Sequence, residues 1–291
     1  MADSVIALLC DCDGTLRPDT SNQLVEELGL NTEEFWQRDV AGLVEDGWDP
    51  PLAYLSMLMR KAETSPRGRL TRPMLETLGN RVQFYPGALD FVDRLRSQLG
   101  ANQEYTESGV RIDWYIVSSG IEDVLRSTAL QSLAADIFGC AFDFDAEDNV
   151  VGIKRSVSFT EKTKFVYAIN KGITGQELRR RPYRVNDYMP LENRPVPFEH
   201  MVYIGDGPSD IPCFSMISKL KGKAIGVWPP EDNSLKKSYE LALGDRITVG
   251  PYGADYRGGS DLFKMLSRIV QGIADLILEE RAQQTRSAPS H

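Results

Sequence analysis

The sequence predicts an α/β protein built on a parallel sheet, with a helical segment inserted after the first strand. Three observations lead there. Runs such as "SVIALLC" (Ser4 to Cys10) and "HMVYIG" (His200 to Gly205) are short and lack polar alternation, which suits strands buried on both faces. Such runs alternate with amphipathic stretches, the pattern of strand–helix–strand units with right-handed crossovers. Between Pro18 and Tyr85 the alternation breaks off, and helical periodicity takes over without a strand-like run.

Taken in order, the first strand runs into "DCDGTL", an aspartate-rich turn (Asp11 to Leu16). The insert reads as "SNQLVEELGL", "NTEEFWQRDVAGLVEDG", "PPLAYLSMLMRKAE" and "TRPMLETLGNRVQ", with Asn, Thr and Pro at plausible helix starts and Gly at plausible stops. "FYPGALDFVDRLRSQLG" is a further amphipathic helix, and "VRIDWYIVSSG" has the β-branched and aromatic content of a strand entering a small-residue turn. A helix is expected over 121–133, then a hairpin in "GCAFDFDAEDNVVGIKR" and a helix in "TEKTKFVYAINKG". The stretch from Lys171 to Glu199, with four prolines, reads as a long loop. Strands follow in "HMVYIGDG", "KGKAIGVW" and "DRITVG", and an amphipathic helix ends the fold. The division expected is a Rossmann-like core at 1–17 and 86–283, a helical cap at 18–85 and a disordered tail at 284–291.

Composition narrows the function classes. The chain has 291 residues, 42% hydrophobic and 26% charged, as in ordinary globular proteins. Its net charge of −9 leaves little electrostatic footprint for nucleic acid, and the one basic tract, "RRRPYR" (Arg179 to Arg184), reads as a solvated loop. Any anion site must therefore be built locally. Four cysteines without zinc-site spacing read as buried thiols in a reducing compartment. The opening "MADSVIALLCDCDG" is neither a basic-flanked signal peptide nor a span of ~20 apolar residues. No membrane partner is expected, and cytoplasmic residence follows. The oligomeric state is not legible.

Ligands of open parallel sheets bind beyond the carboxyl ends of the strands. Four groups of reactive residues fall there: Asp11 with Asp13, Ser118 with Ser119, Asp206 with Asp210, and Lys162 at a helix start. Carboxylates converging on one sheet edge repel one another unless a cation intervenes, and a hard divalent ion such as Mg2+ prefers oxygen ligands. Asp11 and Asp206 can supply side-chain oxygens and Asp13 a backbone carbonyl, with Asp210 holding the shell in place. The Ser118 hydroxyl, backbone amides at Asp13 and Ser119, and the Lys162 ammonium suit a phosphoryl group. Asp11 can then attack phosphorus, giving an aspartyl-phosphate, while Asp13 protonates the leaving oxygen and later activates water. Ser119 rivals Ser118 in this set, and Lys164 rivals Lys162. His200 reads as a loop or strand-edge residue, so a Ser-His-Asp mechanism has no internal histidine to use.

"DCDGTL", "IVSSG", "TEKTKF" and "GDGPSD" resemble, in that chain order, the four motifs of the haloacid dehalogenase (HAD) superfamily, particularly its phosphoserine-phosphatase-like members. The resemblance covers Val5 to about Gly226; the insert matches in position and not in recognisable sequence. It implies Asp11 as nucleophile and Mg2+ ligand, and Asp13 as general acid/base that ligates through its carbonyl. It further implies Ser118 and Lys162 as phosphate binders, Asp206 as metal ligand and Asp210 as support for the metal site. Halide-removing members generally lack the second aspartate, so Asp13 favours phosphate-ester cleavage.

The expected activity is Mg2+-dependent hydrolysis of a small phosphorylated metabolite by a phosphoric monoester hydrolase. A phosphotransferase of the same fold, or a non-catalytic phosphometabolite-binding module, are the alternatives. The segment between Ser118 and Lys162 holds only a helix and a hairpin, so the lid must be the insert. There Trp36, Trp48, Tyr54, Arg60 and Lys61 are expected to serve packing or solvation before substrate contact, and Arg17 marks the start of the path to the lid.

Overall fold

The computed structural model describes residues 4–230, 240, 242, 244 and 246–287, with 284–287 described by their backbone. Its frame is a seven-stranded sheet in the order β4-β3-β2-β1-β5-β6-β7. The strands are β1 (Val5–Cys10), β2 (Arg111–Ile121), β3 (Asp136–Phe144), β4 (Val150–Arg155), β5 (Met201–Gly205), β6 (Lys223–Trp228) and β7 (Val249–Gly253). All neighbours pair in parallel except the β3–β4 hairpin at one edge. β1 is central, with Leu9 opposite Tyr115 on β2 and Tyr203 on β5.

The apolar run of β1 has a simple cause. Side chains alternate across a strand, so Val5, Ala7 and Leu9 join the core on one side of the sheet, and Ile6, Leu8 and Cys10 join the core on the other. A strand covered on both faces has no use for polar alternation. Cys10 and Cys12 both lie in the second core, and all four cysteines are buried free thiols. Trp114 Nε1 donates to Cys10 Sγ at 3.3 Å.

The segment after β1 is helical: α1 (Thr20–Glu27), α2 (Thr32–Glu34), a π-helical stretch (Phe35–Val40), α3 (Ala41–Glu45), α4 (Pro50–Thr64) and α5 (Arg72–Arg81). Side-chain caps set the starts: the Asp19, Asn31, Asp49 and Thr71 oxygens accept from backbone N–H groups in the first turns of α1, α2, α4 and α5. Prolines in the first turns of α4 and α5 sit where a missing N–H costs nothing. Leu24, Val25, Leu55 and Leu58 enter the same core as Val117, Ile121 and Val124, which seats these helices over the carboxyl end of the sheet.

The remaining helices are α6 (Phe91–Gly100), α7 (Gln103–Glu107), α8 (Glu122–Arg126), α9 (Leu130–Leu133), α10 (Phe159–Asn170), α11 (Gly175–Arg180), α12 (Ile211–Lys219) and a terminal helix here numbered α13 (Asp261–Ser287). Four details depart from the sequence reading. The helix expected over 121–133 is broken at 127–129, where the Thr128 hydroxyl accepts from Leu130 N. The stretch read as a long loop contains α11, started by a capping box in which Thr174 and Glu177 satisfy each other's backbone N–H. β7 lies a few residues later than "DRITVG", and α13 continues through 284–287, which were expected to be disordered. Residues 288–291 of that expected tail lie outside the described residues. Among the described residues no helix is long and apolar enough to cross a membrane.

Candidate active site

β1 delivers Asp11 to the carboxyl edge of the sheet. Its N–H donates to Ile204 O at 2.9 Å, so the pairing with β5 extends one residue past the strand and fixes where the carboxylate emerges. The chain then turns tightly: the N–H groups of Thr15, Leu16 and Arg17 all converge on Cys12 O. Gly14 makes this turn at φ +75°, and a Cβ there would lie 2.3 Å from Asp206 Oδ2. Glycine is thus required twice, for the left-handed backbone and for the approach of the β5 loop.

Asp206 and Asp210 come from the end of β5. Asp206 Oδ1 accepts from Thr15 Oγ1 at 3.2 Å, which joins the two acidic loops. Asp210 is fully buried and held on every side: Oδ1 accepts from Tyr203 OH at 2.7 Å and Lys162 Nζ at 2.7 Å, and Oδ2 from Gly207 N at 3.3 Å. Lys162, on the first turn of α10, is fully buried; its Nζ also donates to Ser209 Oγ at 3.1 Å and lies 3.2 Å from Asp11 Oδ1. Its rival Lys164 lies elsewhere, paired with Glu161 beside Phe165.

Asp13, two residues beyond Asp11, is only half-buried. Its Oδ1 accepts from Thr20 N at 3.1 Å and Thr20 Oγ1 at 3.2 Å, and lies 3.2 Å from Arg17 Nη2. Arg17 is fully buried and donates to Cys12 Sγ and Thr20 Oγ1. Gly120, at the end of β2, packs so closely that a Cβ there would lie 2.7 Å from Asp13 Oδ2 and 3.2 Å from Ser118 Oγ. Ser118 Oγ, buried, accepts from Gly120 N at 3.0 Å. Ser119 instead presents its carbonyl to Tyr54 OH of α4 at 2.7 Å, which ties the helical segment to the strand end.

All seven residues singled out from the sequence therefore lie along one edge, within two linked clusters: Asp11, Lys162, Asp206 and Asp210 in one, and Asp13, Ser118 and Ser119 in the other. Thr15, Arg17, Thr20, Tyr54 and Tyr203 complete their contacts. Of these, Arg17 and Tyr54 carried a signal in sequence, by proximity to the turn and as an aromatic of the insert. The other aromatics and cations of the insert pack as expected: Trp36 lies against Tyr54, Arg60 over Trp48, and Lys61 pairs with Asp39.

The electrostatics are those of a site short of positive charge. Burial, reinforced by Asp210 and opposed by Lys162, pushes Asp11 up to about 7. Burial, with Asp11 and Asp210 nearby, raises Asp206 well above the usual carboxylate range. Burial works against the Lys162 ammonium, but Asp11 and Asp210 outweigh it and its pKa is raised. Asp11, Asp206 and Asp210 each offer a carboxylate oxygen, all within 4.8 Å of one another. Asp11 Oδ1, Ser119 Oγ and Arg17 Nη1 are buried without a hydrogen-bond partner in the structure. Hard oxygen donors, mutual repulsion and a carboxylate oxygen that has the Lys162 ion pair but no hydrogen bond fit a hard divalent cation. Asp210 already accepts three hydrogen bonds, so it serves such a site better as a brace than as a ligand.

No family model matches this chain. An uncharacterized protein of Borreliella burgdorferi is 25% identical over 290 residues, which cover 91% of this chain and 96% of that one. Among solved structures, a phospho-aspartyl intermediate analogue of phosphoserine phosphatase superposes with a TM-score of 0.52 at 13% identity, covering 92% of this chain and 99% of that one. A HAD family hydrolase from Salmonella enterica serovar Typhi superposes with a TM-score of 0.50 at 13% identity; the match covers 78% of this chain and spans 63% of the length of that one. With its sheet order and these superpositions, the chain shares the fold of those phosphoserine phosphatase and HAD family hydrolase structures.

Proposed function

We propose that this protein is a Mg2+-dependent phosphatase that hydrolyses a small phosphomonoester through an aspartyl-phosphate intermediate. The observation that carries the reading is the buried Asp11 carboxylate: it shares a pocket of acidic oxygens with Asp206 and Asp210, has Lys162 at 3.2 Å, and leaves Oδ1 without a hydrogen bond. Asp11 and Asp206, with the Asp13 carbonyl, would hold the cation, which would neutralise the repulsion between carboxylate and phosphate.

The chain's own groups supply the rest. A phosphate oxygen would meet the Ser118 hydroxyl and the Lys162 ammonium, while backbone amides at the Asp13 turn offer further donors. Asp11 attacks phosphorus as the bond to the leaving oxygen breaks, and Asp13 in its acid form gives that oxygen a proton. The resulting Asp13 carboxylate then takes a proton from water as that water attacks the phosphorus, releasing inorganic phosphate and restoring Asp11. Asp13 is suited to both steps because Arg17 and Thr20 fix its orientation while its other oxygen lies against Gly120.

The helical segment 18–85 acts as the cap. Its Tyr54 reaches Ser119 O, and closure there excludes bulk water and limits the pocket to a small, enclosed metabolite. Neither nucleic acid nor membrane is a partner in this reading. The four free thiols agree with a cytoplasmic setting.

The test is hydrolysis of p-nitrophenyl phosphate with and without Mg2+, by wild type and by Asp11→Asn. Wild type should need the cation, and the variant should lose at least about a thousandfold in kcat, since a missing nucleophile has no substitute. Equal rates at saturating Mg2+ would sink the proposal. Product analysis with added alcohols separates hydrolysis from transfer to another acceptor, and a panel of phosphorylated metabolites then defines the leaving group.

A further inference from the structure

The basic tract around Arg179 borders a cavity. Between 154 and 194 the chain places ten Lys and Arg against four Asp and Glu, so a protein of net charge −9 carries one locally cationic region. Within it lies a cavity of about 370 Å³, between β3, the end of β4, α10 and α11. Its apolar wall is made by Phe138, Phe165 and Leu178, and its rim by Lys154, Lys164 and Arg179. Phe138 and Phe165 stack face to face, with centroids 4.5 Å apart and ring planes 21° from parallel.

The charges on the rim are unevenly spent. Arg155, which also borders the cavity, is engaged by Glu122 and the Gly139 carbonyl. Lys164 is paired with Glu161. Arg179 has only a 3.6 Å approach to Glu122, and Lys154 is exposed with no ion pair or hydrogen bond among the described residues. No acidic side chain lines the cavity, and no Ser, Thr, Asn or Gln does either. A sugar's hydroxyls would find few partners there. What the lining matches is a small apolar body carrying a negative group: the body against the limited surface that Phe138, Phe165 and Leu178 leave open (3%, 2% and 6% exposed), the anion beside Lys154 and Arg179. The volume sits near the lower end of small-molecule sites, which limits the occupant to one or two rings.

The geometry points to a second binding site here, for a small aromatic anion, separate from the acidic cluster around Asp11. It is built on the same helix as Lys162, since Lys164 and Phe165 follow it by two and three residues on α10. It does not depend on the phosphatase reading.

Titration of the full-length protein with naphthalene-2-sulfonate tests this, because a sulfonate cannot be hydrolysed as a phosphate ester. One equivalent should bind more tightly than about 1 mM, and at least about tenfold more tightly than inorganic sulfate, neutral 2-naphthol or hexane-1-sulfonate. Lys154→Glu combined with Arg179→Glu should weaken binding by about tenfold or more, and Lys154→Gln alone should weaken it less, in the same direction. Asp11→Asn should bind as wild type does. Binding that survives the double charge reversal but is lost in Asp11→Asn would place the ligand at the acidic cluster and overturn the proposal. Failure of naphthalene-2-sulfonate to bind below about 1 mM would overturn it too, and equal affinity for hexane-1-sulfonate would overturn the aromatic assignment.

Discussion

Lys162 Nζ lies 2.7 Å from Asp210 Oδ1, and both side chains are fully buried. A buried charge pair of this kind is costly to assemble and costlier to break, because the survivor is left unpaired in a poor solvent. Here the pair also holds Lys162 Nζ 3.2 Å from Asp11 Oδ1, so Asp210 sets the position of the charge beside that carboxylate.

Asp210→Asn keeps the shape and an acceptor for Tyr203 while removing the countercharge. Lys162 is then drawn towards Asp11, in competition with a cation. The expected result is a Mg2+ activation constant raised by about 10–100-fold, the range for groups that support a metal's ligands. KM at saturating Mg2+ should change little. Rate measured against Mg2+ concentration checks this; an unchanged activation constant would remove Asp210 from the metal site.

Gly14→Ala attacks the turn itself. The left-handed conformation costs an alanine about 1–2 kcal/mol, and its Cβ would press on the Asp206 carboxylate at 2.3 Å. Stability should fall by at least that amount in denaturant titration, and cation affinity should fall with it. A variant as stable as wild type, with normal Mg2+ activation, would mean that the turn and the Asp206 loop can move apart freely.

Much of this site was legible in the sequence because its members are set by local signals. Asp11, Asp206 and their partners Asp13 and Asp210 follow short apolar runs that suit buried strands, and parallel strands send their ends to one edge. What was not legible depends on closeness in space. Tyr203 is an inward-facing strand residue like its neighbours, and nothing local says that its hydroxyl ends on Asp210. Ser118 and Ser119 lie where the pairing of β2 with β3 is irregular, between Val117 and Ile121, which no pattern of residue types reveals. The helix α11 was missed for a different reason: its capping box, Thr174 with Glu177, was present in the sequence but masked by the prolines and arginines that follow.

Arg17 is fully buried, with its guanidinium against Asp13, Cys12 and Thr20, which fits it to position the proposed general acid/base. Arg17→Met removes the 3.2 Å ion pair and leaves Asp13 held by Thr20 alone. Proton transfer by a well-placed group contributes about 10²–10⁴-fold, so loss of orientation should lower kcat by a sizeable part of that range. KM should move much less. Arg17→Lys should recover part of kcat. A variant whose kcat and KM both stay at wild-type values would show that Thr20 suffices.

His200 provides a test of the fold that does not pass through the acidic cluster. It is buried in a turn just before β5, and burial lowers its pKa from the ordinary value of 6.5 although Glu280, 3.3 Å from Nε2, and Glu199 pull the other way. Below about pH 6.5 the unfolded chain gains a proton at this histidine that the folded chain refuses, so its contribution to stability is lost as pH falls through that window. Above it the contribution does not change with pH. Asp11 and Asp206, with raised values, tilt the stability curve in the opposite sense, so the informative quantity is the difference between wild type and His200→Gln. The two proteins should keep a constant gap in unfolding free energy from pH 7 to 8, and the gap should shift in favour of His200→Gln as pH falls from about 6.5 to 5. Denaturant unfolding at each pH measures it. A gap that does not move with pH would mean that His200 accepts its proton in the folded state, with the Glu280 contact outweighing burial.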